Sequence, residues 1–204
     1  METYSKTSEQ DTKTRIFLTA AQLFANEGYD RVSIRQICEA VGVGKPTLYY
    51  YFKDKETLLR ELIQYSFTLG EKLIKKHFDC KKNFFDKLRG IIEGRKAFIL
   101  QYPTFVRFFY MLHLQPIPKN ILEDMGKIAH NHYNRLIAFL EEGQKNGFID
   151  SQMDIPILAN TLVGTLNQLF FRYSFMNDKK AMTEKTLNKL YNFWQNHLFH
   201  TPTH

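Results

Sequence analysis

A short stretch of side chains that can contact DNA bases lies between residues 42 and 53. Lys45, Thr47 and Tyr49 fall on the outer part of a short helical pattern that begins after the turn Gly42-Val43-Gly44. Lysine donates hydrogen bonds to guanine O6 and N7, while threonine and tyrosine offer methyl, hydroxyl or ring contacts. A short helix entered through a tight turn fits a major groove about 12 Å wide. These residue types in this order therefore predict a helix that reads DNA.

Three helices must hold this stretch in position. Thr12–Glu27 places apolar residues at helical spacing and is followed by a glycine, which suits the left-handed position after a helix. Ser33 and Gln36 match a capping box, so a second helix is predicted to begin after Ser33. A third helix is predicted to begin at Lys45 and Pro46, because proline is tolerated in a first turn. The spacing of the second and third helices is that of a helix-turn-helix.

The third helix has an inner and an outer face. Leu48 and Phe52 share the inner face and are expected to pack against the first two helices, which leaves Tyr49, Tyr50 and Lys53 pointing outward. The same geometry also occurs as plain packing, in which the tyrosines form a partly buried patch. Net charge does not distinguish a DNA-reading helix from plain packing, because the formal +7 of the whole chain is not concentrated in the helix-turn-helix.

The sequence from Ser33 to Leu58, with the helix before it, resembles the TetR family of transcriptional regulators. The resemblance covers about residues 12–62, and its most specific part runs from Gly42 to Lys55. It implies a helix-turn-helix DNA-binding domain followed by a helical domain for ligand binding and dimerisation. Three residues depart from the family's commonest pattern, namely Cys38, Gly44 and Pro46. The last two leave the base preference open.

The resemblance implies DNA contacts for nine residues. Ser33 and the amide groups that begin the second helix would bind a phosphate. Arg35 would reach a phosphate or a base edge, and Lys45 would contact guanine. Tyr50, Lys53 and Lys55 would hold the phosphate backbone and fix the register. The full set is Ser33, Arg35, Lys45, Pro46, Thr47, Tyr49, Tyr50, Lys53 and Lys55.

The rest of the chain is helical in pattern and rich in aromatic residues. With 10 Gly and 6 Pro, the chain has few of the turn residues that many short strands require, so we expect an all-α protein. We place the DNA-binding domain at residues 1–54 and the ligand-binding and dimerisation domain at residues 55–204.

Residues 84–112 are rich in aromatic side chains. A ligand cavity is expected among them, because the TetR family has one in the corresponding region. Ordinary core packing is the alternative explanation for each single ring. Few polar groups lie near these residues in the sequence, so the composition predicts a hydrophobic or flat aromatic effector. A positively charged effector of this kind also fits the composition. The candidate ligand residues are Phe98, Tyr102, Phe105, Phe109, His113, Asn134 and Asn167.

Two apolar stripes near the end of the chain predict a homodimer interface. Residues 155–173 and 187–198 each carry apolar side chains every three or four positions. In the TetR family the corresponding helices of two subunits form a four-helix bundle. The alternative is that the stripes pack only inside one subunit. A two-fold dimer would present two recognition helices to a palindromic operator.

Other kinds of site have less support in the sequence. Three of the 7 His have same-face helical spacing, His197 with His200 or His200 with His204. No cysteine or carboxylate cluster completes a metal site, so we expect neither metal nor another cofactor. No nucleophile, base and orienting group are recognisable together, so we expect no enzyme. The polar first residues, and the polar side chains within the longest uncharged run, favour a cytoplasmic protein without a membrane span.

Together these observations predict a ligand-responsive DNA-binding transcriptional regulator. We expect a repressor that leaves its operator when a small effector binds. The expected partners are double-stranded DNA, the effector and a second copy of the chain. The alternative is a helical small-molecule carrier or protein adaptor that keeps the motif only as structure.

Overall fold

The computed structural model describes residues 2–199, with side chains from Asp11 onward. Within these residues it contains nine α-helices, one short 3-10 helix and no strand, which confirms the all-α prediction. The chain packs into two units. The first contains the residues up to Thr68 together with Tyr102–Met125, and the second contains Leu69–Gln101 together with the residues from Gly126 onward. The functional boundary after residue 54 stays a prediction.

The helices follow the predicted order. They are α1 Glu2–Glu27, α2 Ile34–Val41, α3 Lys45–Tyr51, α4 Lys55–Phe78, α5 Phe84–Gln101, α6 Pro103–Leu112, α7 Lys119–Lys145, α8 Ile155–Phe175 and α9 Glu184–His197. The 3-10 helix Lys179–Met182 lies between α8 and α9 and was not predicted. Pro103 begins α6, where proline is tolerated because a first-turn residue needs no intrahelical hydrogen bond from its nitrogen.

Local signals set the ends of the helices around the helix-turn-helix. The predicted capping box is confirmed: the Ser33 side chain accepts from the Gln36 N–H, and the Gln36 side chain accepts from the Ser33 N–H. α2 ends at Gly42, whose φ of 77° is readily adopted only by glycine. Asp54 accepts the Thr57 N–H at 2.7 Å, which lowers the pKa of this carboxylate and caps α4.

The core of the first unit fixes the orientation of α3. Leu48 and Phe52 are 0% exposed, and the ring of Phe52 lies 5.4 Å from that of Phe17 on α1. Arg15 on α1 also donates a 2.7 Å hydrogen bond to the Val41 carbonyl at the end of α2. The predicted inner face of α3 is therefore confirmed.

The apolar stripes of α8 and α9 pack inside the second unit. Their buried members are Ile155, Leu158, Leu162, Leu166, Leu169, Leu187, Tyr191 and Trp194. Their own chain covers these side chains, as in the alternative of packing inside one subunit, and the homodimer through residues 155–173 and 187–198 stays a prediction. A helical stripe shows that one face is buried, and it does not distinguish a partner helix of the same chain from one of another chain.

Two glycines allow α5 to approach the end of α4 closely in the second unit. A Cβ atom on Gly90 would overlap the main-chain carbonyl oxygen of His77, and one on Gly94 would lie 2.5 Å from the Cα of Ile74. The neighbours are backbone atoms, which cannot rotate away. This close contact fixes the main chain of α5 immediately before Arg95.

Candidate nucleic-acid interface and effector cavity

The outer face of α3 is open to solvent. Lys45, Pro46 and Thr47 are exposed, and Tyr49 and Tyr50 are exposed by 50% and 72%. The first turn of α3, with its lysine and threonine, therefore lies on the surface of the first unit. Gly44, which precedes this turn, supplies no side-chain cap. Exposed first-turn side chains next to uncapped amide groups suit contacts with bases and phosphates.

Arg35 lies on the exposed side of α2 and forms an ion pair with Glu39. Its Nε atom lies 2.7 Å from Glu39 Oε1, and the two side chains are 76% and 61% exposed. The hydrogen bond and the charge of Glu39 raise the pKa of Arg35. Because the pair is exposed, water and salt screen it, and the guanidinium can exchange the carboxylate for a DNA phosphate.

Lys55 makes intramolecular contacts at the start of α4. Its Nζ donates to the carbonyl oxygens of Tyr29 at 2.9 Å and Val32 at 3.0 Å, and lies 4.2 Å from the centroid of the Tyr29 ring. Burial lowers the pKa of Lys55. These bonds hold the α1–α2 loop, residues 28–33. The DNA contact of Lys55 stays a prediction, whereas Lys53 lies exposed two residues earlier.

Gln115, just after α6, holds the same loop with its side-chain amide. The Tyr29 N–H donates to Gln115 Oε1 at 2.7 Å, and Gln115 Nε2 donates to the Phe24 carbonyl at 3.3 Å and the Met111 carbonyl at 3.0 Å. The loop that leads into the helix-turn-helix is thus fixed by α4 and by the end of α6. No sequence pattern indicated this role, since a single glutamine after a helix has no periodic signature.

The predicted ligand residues are divided between the two units. In the first unit Phe105 is 0% exposed, and the ring of Tyr102 stacks on it with the centroids 6.0 Å apart. Phe109 contacts the ring of Phe67 at 4.9 Å, and His113 is exposed with Nδ1 2.7 Å from the Phe109 carbonyl oxygen. Their contacts in this structure are those of core and surface residues, and a ligand role for them stays a prediction.

The other three predicted ligand residues lie in the second unit. Phe98 is half-buried with its ring near Gly70 on α4, and Asn134 on α7 is exposed. Asn167 on α8 is exposed and accepts a hydrogen bond from Arg95 through Oδ1 at 3.3 Å. Asn167 therefore contacts Arg95, which lines a cavity in the second unit.

A small cavity lies between helices of the second unit. It has a volume of about 20 Å³. Typical small-molecule sites measure about 300–1,000 Å³, so this cavity is small for a ligand site. The apolar walls come from α5, α7, α8 and α9 and include Leu88, Ile92, Leu136, Leu162, Leu166 and Trp194. Sequence reasoning missed this cavity and placed Trp194 in the dimer stripe.

Arg95 is the charged member of the cavity lining. Its guanidinium carbon lies 5.5 Å from the centroid of the Phe170 ring. The pKa of His132 is lowered, first by burial and then by the positive charge of Arg95. The sequence alone could have pointed to Arg95. This arginine follows Leu88 and Ile92 at helical spacing on one apolar stripe, where a positively charged side chain is unusual. The cavity thus combines apolar walls with one positive charge.

The residues of the helix-turn-helix match a known family. The family model described as "Bacterial regulatory proteins, tetR family" matches residues 16–62, which run from α1 into α4. Residues 16–62 are therefore a helix-turn-helix region of the TetR family. The match covers α2, α3 and the turn between them, where the sequence had indicated the resemblance.

Proteins similar to this chain along most of its length include regulators of fatty acid metabolism and degradation. The fatty acid metabolism regulator protein of Bacillus subtilis is 25% identical over 167 residues, which are 81% of this chain and 84% of the relative. The solved fatty acid degradation regulator FadR from Bacillus halodurans is 20% identical, with a TM-score of 0.78 over 93% of this chain and 97% of its own.

A second solved relative contains a ligand. FadR from Bacillus subtilis in complex with stearoyl-CoA is 20% identical, with a TM-score of 0.74, and the likeness covers 88% of this chain and 96% of that one. At this identity the likeness shows a shared fold. The chain thus shares its fold with a protein that was solved with stearoyl-CoA.

Among the described residues, no three His, Cys, Asp or Glu side chains are grouped so that they could hold a metal ion. His200 and His204, which the sequence offered as a spaced pair, lie outside the described residues. None of the helices in the described part of the chain has the length and apolar character that a membrane crossing needs.

Proposed function

We propose that this protein is a ligand-responsive repressor that binds a palindromic operator as a homodimer. The observation that supports it most is the orientation of α3: Leu48 is 0% exposed, while Lys45 and Thr47 on the same short helix are exposed. A recognition helix needs this division, because its inner face anchors it to the domain and its outer face must enter the groove. A regulator of this kind acts in the cytoplasm, where it reaches its operator.

The proposed DNA contacts divide into two kinds. Lys45 contacts guanine in the major groove, and Thr47 and Tyr49 add contacts to neighbouring bases. The other members of the predicted set, Ser33, Arg35, Pro46, Tyr50, Lys53 and Lys55, position the domain on the backbone. Phosphate contacts raise affinity for any sequence, whereas base contacts create the preference for an operator.

The proposed effector is an apolar molecule whose tail enters the cavity of the second unit. The apolar walls support this, and so does the likeness to a FadR solved with stearoyl-CoA. The cavity is small, so a long tail must displace wall side chains. Such a ligand relieves repression only by binding more tightly to a conformation with lower operator affinity.

The proposed homodimer uses the exposed faces of α8 and α9, within residues 155–173 and 187–198. Ile157, Phe171 and Phe193 are exposed by 64%, 40% and 55%, although each is a large apolar side chain. Gly164, on the same helix as the first two, has no atom within 4 Å of where its Cβ would lie, so a partner helix can approach closely there. Exposed apolar patches of this kind mark interaction sites.

Phe171→Glu is expected to weaken the dimer at least about tenfold, because each two-fold interface would bury two added carboxylates. Analytical ultracentrifugation over a concentration series measures the dissociation constant. Leu114→Glu is the matched control, since Leu114 is 79% exposed and lies outside the two segments. Unchanged self-association of Phe171→Glu would show that this face is not the interface.

Selection of bound DNA from a random pool tests the proposed function. A repressor of this kind should enrich a two-fold symmetric sequence and bind it far more tightly than random DNA at moderate salt. Candidate apolar compounds are then added to the complex, and release is measured by fluorescence anisotropy. Absence of any enriched sequence would favour the helical carrier or adaptor, which keeps the motif only as structure.

A further inference from the structure

We propose that Gln115 is a positioning residue for DNA binding, which acts through the α1–α2 loop on the start of α2. Gln115 follows α6 and lies outside residues 16–62, the part of the chain that matches the TetR-family model. The inference rests on the proposed phosphate contact at Ser33. It adds a residue that sets the geometry of this contact without touching DNA.

The side-chain amide of Gln115 is held at both of its ends. Oε1 accepts the Tyr29 N–H at 2.7 Å, and Nε2 donates to the carbonyl oxygens of Phe24 at 3.3 Å and Met111 at 3.0 Å. The Met111 bond joins the amide to its own helix α6, and the other two bonds join it to the end of α1 and to the loop. Gln115 therefore ties the end of α6 to the α1–α2 loop.

Gly28 lets this amide come close to the loop. Its φ of 93° lies in the left-handed region, and a Cβ atom there would be 3.2 Å from Gln115 Oε1. The Gly28 N–H donates to the Phe24 carbonyl oxygen at 3.1 Å, so this oxygen accepts from both the loop and Gln115. The turn after α1 and the Gln115 amide thus form one hydrogen-bonded unit.

The Tyr29 N–H depends on Gln115 for its acceptor. Tyr29 is 6% exposed, and a buried N–H without an acceptor is costly. If Gln115 were replaced, the loop would have to move to bring this N–H to water. Lys55 cannot take over, because its ammonium group donates to the carbonyl oxygens of Tyr29 and Val32 and accepts nothing.

A shift of the loop changes what α2 offers to DNA. Ser33 is the last residue of the loop and is exposed, and the capping box with Gln36 joins it firmly to the first turn of α2. A displaced loop therefore moves the Ser33 hydroxyl and the first amide groups of α2 together. Hydrogen bonds to a phosphate need donor–acceptor distances of about 2.5–3.2 Å, so a shift of about 1 Å is enough to break them.

Gln115→Leu tests the inference, because leucine is apolar and removes all three hydrogen bonds. It should weaken binding to a random-sequence duplex and to the duplex enriched by selection by the same factor, about three- to tenfold, since phosphate contacts carry no sequence information. The slope of log affinity against log salt should stay unchanged, because no cation is removed. Fluorescence anisotropy titrations over a salt series measure both quantities.

Gln144→Leu is the matched control in the second unit. Gln144 on α7 also holds a loop with its amide, and its Nε2 donates to the carbonyl oxygens of Asp150 at 2.8 Å and Met153 at 2.9 Å. Both variants should lower the melting temperature, and only Gln115→Leu should lower DNA affinity. Gln115→Ala repeats the test with a smaller side chain in case leucine prevents folding.

A double-mutant cycle assigns the effect to Ser33. Ser33→Ala removes the hydroxyl that the loop positions, so adding Gln115→Leu to it should cost less DNA affinity than the same change in the wild type. Equal costs in the two backgrounds would show that Gln115 does not act through Ser33 and would overturn the inference.

Hydrogen exchange at the Tyr29 amide, followed by NMR, shows whether the loop is released. Faster exchange together with weaker binding to both duplexes supports the inference. Unchanged exchange, unchanged DNA affinity in folded Gln115→Leu, or an equal loss in Gln144→Leu would overturn it. If the wild-type protein enriches an operator and Gln115→Leu binds it equally well, the inference alone is wrong. If the wild-type protein binds neither duplex, the proposed function is wrong as well.

Discussion

Lys45→Ala should lose about 1–3 kcal/mol of binding free energy on the preferred operator, or about 5- to 150-fold in affinity, and much less on random DNA. The side chain is exposed at the leading turn of α3, while Leu48 anchors the opposite face at 0% exposure. The loss follows from a bidentate contact to guanine, which only the correct base pair provides. Fluorescence anisotropy titrations on both DNAs measure it.

Lys53→Ala is the matched control for this experiment. Lys53 is exposed just beyond α3 and is proposed to contact a phosphate. Its removal should weaken operator and random DNA alike, and should reduce the slope of log affinity against log salt by about 1. If Lys45→Ala also lost the same factor on both DNAs, Lys45 would be a backbone contact and base readout would have to lie elsewhere on α3.

Gly90→Ala should destabilise the protein by about 1–3 kcal/mol, although alanine normally favours a helix. The added methyl group would overlap the His77 carbonyl oxygen and lie 2.9 Å from its carbon, so α5 must move away from α4. The free energy of unfolding in urea, followed by circular dichroism, measures the change.

Gly126 on α7, unlike Gly90, has room for a methyl group, so Gly126→Ala is the matched control. Gly126 is exposed, and an added Cβ would meet no atom within 4 Å. The substitution should stabilise the protein by about 0.5–1 kcal/mol, because it lowers the entropy of the unfolded chain without a steric cost. A stabilised Gly90→Ala would mean that α4 and α5 separate easily at this contact.

The helix-turn-helix was predictable because its signals are local. The capping box at Ser33 and the left-handed Gly42 each depend on a few neighbouring residues, and both appear in the structure as expected. The inner face of α3 follows from the spacing of Leu48 and Phe52 alone.

The cavity and the interface could not be predicted in this way. The cavity depends on how α5, α7, α8 and α9 meet, and Leu88 and Trp194, which both line it, are more than a hundred residues apart. The stripes of α8 and α9 were correctly identified as buried, and since their buried members are covered by the same chain, a dimer interface through these segments stays a prediction. Hydrophobic periodicity identifies a buried face, whereas the identity of its cover depends on tertiary packing.

The two side chains that hold the α1–α2 loop limit how far the DNA-reading part can be exchanged between proteins. Both Lys55 and Gln115 lie beyond residue 54, and Gln115 is 86 positions from Tyr29, whose N–H it binds. A fragment or chimera that transplants only the first 54 residues leaves both anchors behind. Grafting new operator recognition onto this scaffold is therefore better done by changing the surface of α3 than by swapping the whole segment.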